Sequence, residues 1–234
     1  MAFHFLKSGL LQVLAACVLS SAIVQAESNP LPDLFNITTD DIMDGFAAQN
    51  FTSTDLVTAY IARIAEVNEQ LRPVIEINPE AADIARALDE ERLTQNRTRG
   101  PLHGVPVLLK DNVGTKDQLN TTAGSYALLG SVVPHDATLV ANLRAAGAVM
   151  LGKLGMSEWA NWRGEIPNGW SARGGQVKGA YFEDQDPRGS SSGSGVAASL
   201  GLAALTVGSD TGGSIILPSC EFGRLVSGWT GIWM

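Results

Sequence analysis

Histidine is scarce in this chain. His4, His103 and His135 are the three present in 234 residues, and none follows the serine-rich stretches near the carboxyl end. That order counts against a nucleophile elbow, in which the histidine base comes after its serine. Cysteine is rarer still, with Cys17 and Cys220 alone. Basic residues are outnumbered, 16 against 24 acidic, for a formal net charge of −8, and no basic run interrupts that balance. An acidic body without a basic patch carries no electrostatic footprint for nucleic acid. Past the first 26 residues no apolar stretch approaches the roughly 20 residues that a bilayer span needs.

The first 26 residues have a layout of their own: a weakly basic start ending at Lys7, an apolar stretch from Gly9 to Val24, then Val24-Gln25-Ala26 before Glu27. This is the layout of a secretory signal peptide cleaved after Ala26, leaving residues 27–234 as the mature chain and no stable membrane anchor; the runner-up is an uncleaved anchor, for which the apolar stretch is short against the roughly 20 residues of a span. Cleavage removes Cys17, so no intramolecular disulfide can form and stability must come from a packed core. Asn36, Asn50, Asn96 and Asn120 each begin an Asn-x-Thr glycosylation triplet, which agrees with a secreted, extracellular protein and with surface positions for those asparagines.

An apolar content of 45% suits one globular domain. The periodicity predicts helices over 39–49 and 53–70, the second capped by Thr52 and Asp55, a short strand over 74–77, and a helix from an Asn78 cap to about Leu93. Strands are expected over 105–110 and 148–153. Asp136 is expected to cap the helix between them, which Gly147 stops. Residues 161–189 read as a long loop, residues 193–200 as a helix, and 202–207 as a strand. Alternating strands and helices imply an α/β class, an α/β/α sandwich around a mixed or parallel sheet.

Two stretches concentrate serine among glycines: Arg188-Gly-Ser-Ser-Ser-Gly-Ser-Gly195 and Gly208-Ser-Asp-Thr-Gly-Gly-Ser-Ile215. The first lacks the Gly-Lys-Ser/Thr ending of a phosphate-cradling loop, and the apolar helix-strand pair that follows argues against a flexible linker. With no histidine downstream, a serine nucleophile needs another base. Lys110 follows the apolar run Val105-Pro-Val-Leu-Leu109, and an amine pressed into an apolar interior loses the solvation of its charge, so its neutral form can accept a proton. The duller readings are a solvated lysine at a strand end, and Ser190 and Ser214 as turn residues that satisfy backbone groups. Asp111 and Lys153 read as structural. Trp159, Trp162 and Trp170 either line a cleft or pack under the loop.

Taken together, Gly100-Pro-Leu-His-Gly-Val-Pro-Val-Leu-Leu-Lys110-Asp-Asn, the Ser190-Ser191 loop and Asp210-Thr-Gly-Gly-Ser214-Ile, with the two serines 24 residues apart, resemble the amidase signature family. The likeness runs from about Thr39 to Pro218 and is strongest toward secreted fungal and peptide-amidase-like members. It implies hydrolysis of a carboxamide to an acid and ammonia or an amine, through an acyl-enzyme on Ser214. It implies that Ser190, held by a cis peptide, relays the proton and that Lys110 is the final base. The backbone amides of Thr211, Gly212, Gly213 and Ser214 are the implied oxyanion hole, with Ser191 and Asp210 in support. The resemblance implies neither metal nor organic cofactor, and a small-molecule or peptide amide as the partner.

The chain departs from the family's pattern in places. Arg188 stands where glycine is usual and Ile216 where arginine is usual. The segment from Cys220 to Met234 lacks the Gly-Leu/Ile-Lys-Pro-Thr stretch that usually follows the nucleophile. The family's domain continues well beyond that point, so the expectation is the amino-terminal part of an amidase domain. The competing readings are a catalytically inactive fragment or pseudoenzyme, and a protein resembling a glutamyl-tRNA(Gln) amidotransferase subunit. The leader and the acidic surface argue against the last of these.

Overall fold

A computed structural model describes residues 31–223. The expected leader over 1–26, with Cys17, and the final stretch over 224–234 lie outside the described residues. The chain enters through two helices, α1 (Thr39–Ala47) and α2 (Ser53–Leu71). Each begins with a reciprocal cap: Thr38 and Thr52 accept from the amides of Asp41 and Asp55, whose carboxylates accept from the amides of the capping threonines. Two otherwise orphaned donors are thereby satisfied at each helix start. After β1 (Val74–Ile77) comes α3 (Ala81–Gln95), then β2 (Pro106–Lys110), α4 (Thr138–Ala145) and β3 (Val149–Leu154). A two-strand ribbon, β4 (Trp170–Ser171) with β5 (Gly175–Gln176), precedes α5 (Ser192–Ser199), β6 (Leu205–Val207) and α6 (Ile216–Glu221).

The main sheet has the order β1-β3-β2-β6 and is mixed, with β3 and β6 parallel to β2 and β1 antiparallel to β3. Successive side chains of a strand face opposite ways, so each strand feeds two cores. Leu108, Leu151 and Leu154 pack with Leu56, Tyr60 and Leu88 of α2 and α3 and with Ala197 of α5. Val107, Leu109 and Met150 pack on the other face with Val140 of α4. Each fully buried leucine contributes about 1.5–3 kcal/mol. Helices on both faces of a mixed sheet are the expected α/β/α layering.

The strand expected over 202–207 is limited to Leu205–Val207 and the first helix ends at Ala47, and three further expectations differ. Asp136 does not cap α4. Its carboxylate is taken by the Lys116 amide at 2.6 Å and the Arg144 guanidinium at 3.0 Å, and the helix starts two residues later from Ala137 without a side-chain cap. Asn78 is not the helix cap of α3 either. It is buried, donating to the Met150 carbonyl at 2.7 Å while accepting from the Glu80 amide at 2.9 Å, so it pins the strand-to-helix turn to the sheet instead. Residues 161–189 hold the β4/β5 ribbon rather than a structureless loop. Gly147 ends α4 as expected, at φ +83° with His103 against its Cα, where a Cβ would stand 3.0 Å from the His103 ring.

Candidate active site

Lys110 closes β2, and its side chain is fully buried. The lysine Nζ lies 2.7 Å from Ser190 Oγ and 3.0 Å from the Ser209 carbonyl oxygen. Ser190 Oγ lies in turn 3.0 Å from Ser214 Oγ. The three residues expected from the sequence thus form one continuous line, with Lys110 and Ser190 buried and Ser214 half-buried at the open end. Burial pushes the Lys110 amine down to about 7, against the opposing pull of the Asp210 carboxylate.

Two parallel strands bring these groups together. β2 and β6 run side by side, so Lys110 and the loop after Val207 emerge at the same carboxyl end of the sheet. Helix α5 is tied to β6 by Ser194 Oγ donating to the Val207 carbonyl and by Thr206 Oγ1 donating to the Ser194 carbonyl. This sets Ser190, just before α5, beside Lys110. Gly193 lets that helix sit directly on the chain below, since a Cβ there would lie 2.5 Å from the carbonyl oxygens of Gly155 and Pro73. The Gly189–Ser190 peptide is cis, as the resemblance implied.

Ser191 and Asp210 hold the loop that carries Ser214. Ser191 Oγ donates to the Ser209 carbonyl at 3.1 Å and accepts from the Ser209 amide at 3.3 Å, while the Ser191 amide donates to the Ser214 carbonyl at 3.1 Å. The Asp210 carboxylate accepts from the amides of Gly213 and Ile215, both at 2.7 Å, and of Ile216 at 3.3 Å. Although partial burial pushes that carboxyl up, these amides hold it below the usual carboxylate range. Of the four amides that the resemblance implies as an oxyanion hole, two act on that carboxylate, those of Gly213 and Ser214. The Gly213 amide is already committed to Asp210, because one carboxylate can bridge several closely spaced donors at the start of α6. The amides of the exposed Thr211 and Gly212 have no partner among the described residues.

Sequence reasoning missed Ser209, whose carbonyl anchors Lys110 and whose hydroxyl meets the Asn112 side chain at 3.0 Å. The signal was its place between two residues of the second serine motif. It also missed Arg173, which reaches Asp111 from the β4/β5 turn. Asp111 and Lys153 are fully buried, as a structural role requires. Trp162 is 75% exposed and so does not pack under the loop, whereas Trp170 is 38% exposed and Trp159 half-buried. Among the described residues no cluster of His, Cys, Asp or Glu could hold a metal ion, and no helix is long and apolar enough to cross a membrane.

Comparison with known proteins points one way. The amidase family model matches residues 55–224. The chain is 46% identical over 219 residues to a protein of Arthroderma benhamiae named "Putative amidase", covering 84% of this chain and 37% of that one. It is 46% identical over 224 residues to a "Probable amidase" of Arabidopsis thaliana, covering 94% and 44%. The crystal structure of native peptide amidase from Stenotrophomonas maltophilia superposes with a TM-score of 0.76 at 47% identity, over 79% of this chain and 38% of that one. The chain thus spans under half the length of these relatives. With its fold, the family model and both relatives in agreement, the chain belongs to the amidase signature family.

Proposed function

We propose that this chain carries the reacting groups of an amide hydrolase that works through an acyl-enzyme on Ser214. The observation that supports it best is the line Lys110 Nζ, Ser190 Oγ, Ser214 Oγ at 2.7 and 3.0 Å, with a lysine whose amine is half neutral near pH 7. With the amine neutral, the hydroxyl hydrogens turn toward it. Ser214 then passes its proton to Ser190 Oγ, Ser190 passes its own to Lys110, and Ser214 Oγ attacks the carboxamide carbon. The carbonyl π pair moves onto oxygen, where backbone amides of the 211–214 turn are the donors that the resemblance implies. Collapse breaks the C–N bond, and the proton returns along the relay to the departing nitrogen. Water attacks the ester by the same route and releases the acid.

Peptide amides and small organic amides are the proposed substrate class, on the strength of the likeness to peptide amidase. Secretion and glycosylation belong to the same proposal. Asn36, Asn50 and Asn96 are exposed, whereas Asn120 is half-buried, with its side-chain nitrogen 2.9 Å from the Glu76 carboxylate.

The test is covalent labelling of residues 27–234 by a serine-directed fluorophosphonate. Labelling that disappears in Ser214→Ala supports the reading. A soluble, cooperatively melting sample that takes up no probe, or one labelled equally well after Ser214→Ala, overturns it.

A further inference from the structure

Asp111 follows Lys110 directly and is completely buried. A buried carboxylate is costly unless it is paired and hydrogen-bonded. Every bond this one makes goes to one segment or to the arginine gripping that segment. Its carboxylate accepts from Thr122 Oγ1 and from the Gly124 amide at 2.8 Å. The Arg173 guanidinium lies 3.3 Å away and also pairs with Glu76, while the Arg173 amide donates to the Gly124 carbonyl at 2.9 Å. Segment 122–124 is thus clamped from two sides, in a left-handed turn with Ala123 at φ +50° and Gly124 at φ +80°.

The clamped segment leads to the relay serine. The Ala123 carbonyl accepts from the Trp159 amide at 2.9 Å. In the same short turn, the Ser157 amide donates to the Ser190 carbonyl at 3.2 Å, and Ser157 Oγ sits where a Cβ on Gly189 would come within 2.6 Å. A path of bonds therefore runs from the neighbour of the proposed base to the backbone of the proposed relay without passing through either hydroxyl.

We propose that Asp111 and Arg173 are a positioning pair for the proton relay: by fixing residues 122–124 they set, through Trp159 and Ser157, where Ser190 presents its hydroxyl to Lys110. The assignment rests on the reading of Lys110, Ser190 and Ser214 as the working site. A purely structural pair would loosen the whole domain when broken. A positioning pair loosens the path selectively and slows the chemistry, since a misplacement of about 1 Å can lower a rate about 100-fold.

The experiment compares the full chain with Asp111→Asn, Thr122→Val and, as a control remote from the path, Thr52→Ala, by hydrogen exchange and by fluorophosphonate labelling. In the first two variants exchange over residues 157–160 and 188–192 is expected to quicken about tenfold or more, the scale of losing a hydrogen bond to a charged group. Labelling is expected to slow about 100-fold. The control changes neither. Loosening confined to 122–124, with 157–160 and 188–192 exchanging as in the parent, overturns the proposal, as does unchanged labelling. Should Asp111→Asn fail to fold, Thr122→Val, which keeps every charge, decides the same question. Should the parent chain take up no probe, the functional reading falls while the exchange comparison still decides the positioning role.

Discussion

Two lysines, both completely buried, occupy neighbouring parallel strands one register step apart, and they meet different surroundings. Lys153 is paired across the sheet with Leu109, and Lys110 with Leu154, so their side chains leave by opposite faces. Burial lowers both amines, Lys110 to about 7 and Lys153 to about 8. Their company differs. Lys153 lies within the field of Asp111, Asp117 and Glu76 and donates to the Val113 carbonyl and to Thr121 Oγ1. Those carboxylates favour its charged form, and its two hydrogen bonds tie a loop to the sheet. Lys110 faces the Ser190 hydroxyl, a group that can hand a proton over as readily as it accepts one. Desolvation alone does not make a base; the partner at hydrogen-bond distance decides it.

The sharpest way to break this contrast is to remove each amine in turn. Lys110→Met is expected to lower fluorophosphonate labelling by about 100- to 10,000-fold, the scale of losing a general base, while Lys153→Met keeps it within about tenfold. The reverse ranking would sink the assignment. Stability should divide the other way. Lys153→Met leaves buried carboxylates uncompensated and is expected to lose about 3 kcal/mol in urea unfolding, whereas Lys110→Met, which replaces a desolvated amine by an apolar chain, holds or gains stability. Next in size is the pH dependence of labelling. It should rise with pH as Lys110 deprotonates and level off above about 7. A rate independent of pH between about 5.5 and about 8 would remove Lys110 from the role.

The same burial leaves a mark on folding. Both amines are lowered from 10.5, so between about 7 and 10.5 for Lys110 the unfolded chain holds more protons than the folded one, and stability climbs with pH across that window. Urea titrations of Lys110→Met should show a shallower climb than the parent. The smallest effect belongs to a residue outside both environments: Thr52→Ala removes the cap of α2 for about 1 kcal/mol, with labelling unchanged.

Much of this site was legible because its parts are local. An apolar run ending in lysine reads as a buried strand with a desolvated end, and glycines crowding serines read as tight turns. The capping boxes at Thr38 and Thr52 are equally short-range, and the structure keeps the one at Thr52 where the sequence placed it. What stayed hidden depends on distant partners. Arg173 meets Glu76 from 97 positions away, which no spacing reveals. Asp136 looked like a cap until Lys116 and Arg144 claimed its carboxylate. The Asp210 carboxylate occupies the Gly213 amide because a short helix starts at Ile216, and those six residues carry too weak a period to be seen.

The parallel pairing of β2 with β6 has a consequence in time. Ser209, with Ser214 just behind it, is made 99 residues after Lys110. At roughly 5–20 residues per second the ribosome takes about 5–20 seconds to bridge that interval. Until β6 docks, Lys110 lacks the Ser209 carbonyl, and a lysine not yet fully covered keeps more of the solvation of its charge. The nascent chain therefore carries an ordinary lysine at the end of β2, and the late-arriving strand completes the burial that lowers its amine.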